Sequence, residues 1–69
     1  MFKKIERYLL IFGDDVEDQY EKYVIGTLMH NAEHYNKIRD NIFYVEATKQ
    51  GIEAIRFLFD YFEVEFAKL

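Results

Sequence analysis

The chain has 69 residues, 51% of them hydrophobic and 19% aromatic, with a formal net charge of −4. So much apolar surface excludes a disordered chain, and the acidic balance argues against a protein that grips nucleic acid by neutralising phosphates. With no cysteine and only two histidines, neither a disulfide nor a closed zinc site can reinforce the small core of one domain spanning residues 1–69.

The first element, residues 2–12, places Phe2, Ile5, Leu9 and Phe12 at helical spacing, with Gly13 where a helix end favours a left-handed glycine. A short amphipathic helix is expected. Its basic residues Lys3, Lys4 and Arg7 faintly suggest a signal peptide or a membrane-surface helix. The apolar run at residues 8–12 is too short for the first, and Glu6 interrupts the charge needed for the second.

The second element carries better helix signals. Asp14 or Asp15 can cap an N-terminus, Glu17 and Asp18 favour the first turn, and Lys37 and Arg39 favour the last. Val16, Tyr20, Val24, Leu28, Tyr35 and Ile38 form a stripe, so the pattern predicts a helix over residues 15–39 with Gly26 inside it, marking a bend or a close contact. The longest uncharged stretch, residues 23–32, is about half of the roughly 20 residues a membrane span requires. A cytoplasmic protein with no membrane partner is expected.

After Asp40 and Asn41 comes a heptad stripe: Val45, Thr48, Ile52, Ile55, Phe59, Phe62, Phe66 and Leu69 alternate in steps of three and four. Such a seam predicts one long helix from the mid-forties onward, hidden only by another helix. A second apolar line, Ala54, Phe57 or Leu58, Tyr61 and Val64, would need a second cover. The resulting expectation is an all-α protein, a three-helix bundle or long helical hairpin with a short N-terminal helix, paired as a homodimer through Phe57, Leu58, Tyr61 and Val64. The competing architecture is a small α/β domain, β-α-β-α-β, with strands at residues 8–12, 42–45 and 62–66. Phe62-Glu63-Val64-Glu65-Phe66 does alternate as a strand should, but no Gly, Pro or Asn follows Asp60 to turn the chain.

Three constellations bear on function. His30-Asn31-Ala32-Glu33-His34 matches the letters of the inverted zinc-protease motif, in which two histidines on one helix face hold the metal. No third ligand is signposted, so His30 and His34 are read as exposed side chains, with two-histidine metal binding as the outside alternative. Asp14, Asp15, Glu17, Asp18 and Glu21 gather five carboxylates at a helix start, either as a solvated terminus or, joined by Asp60, Glu63 and Glu65, as a patch that imitates DNA phosphates. The tyrosines Tyr8, Tyr20, Tyr23, Tyr35, Tyr44 and Tyr61 suit packing and recognition alike. Serine is absent and threonine occurs twice, which leaves few nucleophiles for covalent catalysis. The sequence therefore points to a cofactor-free, non-enzymatic module that binds a protein partner as a stoichiometric regulator or inhibitor. The alternative is an acidic inhibitor that occupies the nucleic-acid groove of its target.

Overall fold

Apolar side chains in the first segment alternate instead of spiralling. Tyr8, Leu10 and Phe12 are buried on one side, while Leu9 and Ile11 are half-buried on the other, which is the two-sided pattern of a strand. The computed structural model describes residues 3–69, and its elements run β1 (Ile5–Phe12), α1 (Asp18–Asn31), β2 (His34–Arg39), β3 (Ile42–Thr48), α2 (Lys49–Leu58) and β4 (Val64–Lys68). The strands form one antiparallel sheet ordered β2-β3-β1-β4, the connectivity of the split β-α-β, or ferredoxin-like, motif. The protein is an α+β domain, and the expected all-α bundle is overturned.

Each expected helix fails for its own reason. Residues 2–12 belong to a strand as far as Ile5–Phe12 extends; Phe2 of the expected stripe lies outside the described residues. Gly13 has no left-handed backbone to supply, since no glycine among the described residues has positive φ. It ends β1 by donating its N–H to the Glu63 carbonyl at 2.7 Å.

The helix expected over residues 15–39 stops at Asn31. The Asn31 side-chain amide donates to the Thr27 carbonyl, Ala32 turns extended, and the Glu33 N–H starts a ladder by donating to the Glu46 carbonyl. Tyr35 and Ile38 are therefore strand residues. Lys37 does not close the last turn of a helix; it pairs from β2 with Glu21 of α1, while Glu33 meets Lys3 at 3.4 Å. Gly26 marks no close contact, because a Cβ there would find nothing within 4 Å.

The long third helix survives only as α2. Thr48 caps it, its side-chain oxygen accepting from the Gly51 N–H at 3.1 Å, and Ile52, Ile55 and Phe59 bury the face turned to the sheet. A tight turn follows. The Phe62 N–H donates to the Phe59 carbonyl at 3.0 Å, and the Phe59 and Phe62 rings stack edge to face at 5.7 Å. Aromatic packing fixes a reversal that needs no positive φ, and β4 then pairs with β1, Leu10 facing Phe66. The line Ala54, Phe57 or Leu58, Tyr61 and Val64 is thus not a helix face, and the reason it gave for self-association falls with it. The competing reading placed strands at three of the four strand regions, yet it missed β2 and the antiparallel order.

Both helices cover one face of the sheet, closing a core of Leu10, Phe12, Val24, Leu28, Phe43, Val45, Ile55 and Phe59. Full burial of each large apolar side chain contributes roughly 1.5–3 kcal/mol. The other face is open, with Leu9, Ile11, Ile42, Tyr44 and Ala67 half-buried at its centre. Among the described residues no helix is long and apolar enough to cross a membrane.

Candidate binding cleft

At the end of β1 three segments converge: the loop over residues 13–17, the first turn of α1 and the turn into β4. Two backbone bonds hold the loop, Gly13 N–H to the Glu63 carbonyl and Val16 N–H to the Asp40 carbonyl at 2.9 Å. The Phe62 ring supports them from below, 5.7 Å from the ring of Phe12 and 6.0 Å from that of Tyr20. A cleft of about 400 Å³ opens between them.

Four carboxylates line this cleft: Asp14, Asp15, Glu17 and Glu63. Tyr20, Tyr61 and Phe62 supply the aromatic wall, and none of the lining residues is basic. Tyr61 is fully exposed and Tyr20 is 48% exposed. The Glu63 carboxylate lies against the Gly13 backbone, where an added Cβ would sit 3.0 Å from its oxygen. Glu17 occupies the N-cap of α1 without capping it through its side chain, and accepts instead from the Gln19 amide at 2.8 Å.

The acidic residues singled out in the sequence divide here. Asp14, Asp15 and Glu17 enter the cleft, joined by Glu63. Asp18 begins α1 outside it, and Glu21 is neutralised by Lys37, whose ammonium also reaches Asp40 at 3.6 Å. The Glu21 hydrogen bond is the main cause that raises Lys37 above its ordinary value. Asp60 lines a separate groove, and Glu65 sits opposite Ile11 on the open sheet face.

The four residues assigned to a helical interface are also dispersed. Phe57 is 79% exposed on the last turn of α2, Leu58 and Val64 pack against the core, and Tyr61 belongs to the cleft. His30 lies in the last turn of α1, whereas His34 starts β2, so the helix face required by the zinc motif does not form. Among the described residues no group of three metal-ligating side chains is found. Phe62 was readable only as a packing residue, because its place beside the carboxylates depends on β1 and β4 being adjacent.

Carboxylates beside exposed rings attract a cation both by charge and through the ring faces. The cation–π part is worth about 0.5–1 kcal/mol at an exposed site, and each exposed ion pair adds about 0–1 kcal/mol. One ammonium or guanidinium held this way gains only a few kcal/mol, no better than a millimolar dissociation constant at about 4 kcal/mol. A free small amine is therefore a poor occupant, and a cationic side chain carried on a larger surface is a good one. No protein-family model matches this chain, and no curated protein or solved structure matches it either.

Proposed function

We propose that this chain is a non-enzymatic protein-binding module whose cleft receives a Lys or Arg side chain presented by a partner protein, which it regulates by stoichiometric occupation. The observation that carries this reading is the convergence of Asp14, Asp15, Glu17 and Glu63 with the exposed ring of Tyr61 in one cleft whose lining has no cation. Its affinity rests on contacts around the anchor, with the cleft supplying orientation and charge selection. A cytoplasmic location is part of this proposal and rests on the sequence alone.

A short arginine-rich peptide added during an NMR titration tests the reading. Shift changes should centre on residues 13–20 and 61–63, weaken as salt is raised, and vanish in Asp15→Lys/Glu63→Lys. Changes spread evenly over the surface, or unaltered in that variant, would refute it. The same acidic end favours a second reading, an inhibitor filling the basic groove of a nucleic-acid-binding protein. That reading requires nucleic acid to displace this chain from a captured partner, and a partner indifferent to added nucleic acid excludes it.

A further inference from the structure

The two edges of the sheet, β2 and β4, are built differently. β2 is exposed along its length apart from Tyr35, carries Lys37 and Arg39, and its ladder to β3 slips between those two residues. Charge and irregularity of this kind keep an edge from accepting another strand. β4 has Val64, Phe66 and Ala67 half-buried and pairs with β1 in one unbroken register. Its one cation, Lys68, is turned back to Glu6 at 3.6 Å.

The backbone pairing shows which groups face outward. The Leu69 N–H donates to the Arg7 carbonyl and the Gly13 N–H to the Glu63 carbonyl, so the odd-numbered residues of β4 bond to β1. The N–H and C=O of Val64, Phe66 and Lys68 point away from the sheet. Their side chains lie on the helix side, opposite Phe12, Leu10 and Tyr8. Beside them runs a groove of about 230 Å³ lined by Phe59, Phe62, Val64 and Phe66 together with Arg56 and Asp60.

We propose that this edge receives β4 of a second copy of the chain, antiparallel about a two-fold axis at Phe66, joining the two four-stranded sheets into one. In this register Phe66 meets Phe66 of the second copy, and Val64 meets the second copy's Lys68, each pair exchanging both backbone hydrogen bonds. Glu65 faces the second copy's Ala67. A shift of one residue sets outward groups against inward ones and forms no ladder. The even shift toward the start of β4 sets Glu65 against Glu65, and like charges directly opposed are destabilising. The occupant is a second copy because β4 itself supplies what the edge accepts: Val64 and Phe66 on the groove side and the small Ala67 opposite Glu65. Both helix layers fall on one side, and the two open apolar faces become continuous.

A contact this short belongs with the smallest specific interfaces, so self-association is expected in the micromolar to millimolar range. Sedimentation velocity from about 10 μM to about 1 mM, where even a 4 kcal/mol contact is half-populated, should show a monomer passing to a dimer. Because the chain has no cysteine, Val64→Cys and Lys68→Cys report the register. Opposed Cα atoms in a hydrogen-bonded pair lie about 5.5 Å apart, within disulfide range. An oxidised mixture of the two variants should cross-link faster than either alone, because only the mixed pair is opposed within disulfide range. A sedimenting monomer throughout the range overturns the proposal, and so does a dimer whose cross-linking shows no preference for the mixture.

Discussion

Two glycines, each inside a helix, should respond in opposite ways to the same substitution. At Gly51 an added Cβ would lie 2.4 Å from the backbone carbonyl oxygen of Asn31 and 3.2 Å from the Ala47 Cβ. Ordinary contact begins at 3.4 Å, so the end of α1 and the start of α2 would have to part by about 1 Å, the difference between those two distances. Overpacking of this kind costs about 1–3 kcal/mol, and the better helix propensity of alanine returns about 1 kcal/mol. Gly51→Ala should therefore lose up to about 2 kcal/mol. Gly26, with nothing within 4 Å of its added Cβ, should gain up to about 1 kcal/mol as alanine. In a domain of this size 1 kcal/mol moves Tm by roughly 4–8 °C, so the two variants should melt on opposite sides of the wild type by amounts that calorimetry resolves. A Gly51→Ala variant as stable as Gly26→Ala would show that α1 and α2 do not meet at Asn31, and the packing argument would fail.

Three further outcomes are expected. Thr48→Ala removes the side-chain acceptor at the start of α2 and should cost about 1 kcal/mol in urea unfolding. Phe59→Ala removes a buried ring that packs on Phe12, Tyr23 and Phe62 and should cost about 3–5 kcal/mol, against less than about 0.5 kcal/mol for the exposed Phe57→Ala. The Tyr44 phenol is raised above its ordinary value of 10.0, mainly by its hydrogen bond to Glu46, and Lys37 is raised above 10.5 by Glu21. Both groups hold their protons more tightly in the folded chain, so the stability they contribute is full below about pH 10 and falls as pH rises beyond it. A pH series of melting curves should show that decline, and Tyr44→Phe should make it shallower.

The misreading of the fold has a physical source in β1 and β4. A strand that lines a core on one face and an apolar open face on the other shows no polar alternation. Tyr8, Leu9, Leu10, Ile11 and Phe12 therefore fit a helix as readily as a strand. The heptad stripe is a coincidence of two periods. Ile52, Ile55 and Phe59 follow the helix, while Phe62 and Phe66 continue its spacing because the turn and β4 return to the same core. Helix ends usually carry glycine, proline or asparagine, but the reversal at Asp60 is set by ring stacking between Phe59 and Phe62, a tertiary contact with no local signal. Asn31 did carry a signal at the end of α1, yet the apolar stripe through Tyr35 and Ile38 masked it. Of the candidate cleft, the charge at Asp14, Asp15 and Glu17 was legible, and so was Glu63 as an addition to it. The rings of Tyr61 and Phe62 beside those carboxylates were not, because only the β1–β4 pairing brings the two turns together.

That pairing decides both the fold and the cleft, and a two-dimensional NOE spectrum of the labelled protein interrogates it most directly. Leu10 and Phe66 oppose each other at a position that is not hydrogen-bonded, as do Leu9 and Tyr44, so their Hα atoms should give strong cross-strand peaks. Continuous strong amide-to-amide peaks from residue 60 to 68, without the Leu10–Phe66 contact, would mean a helix there and would remove the cleft along with the sheet.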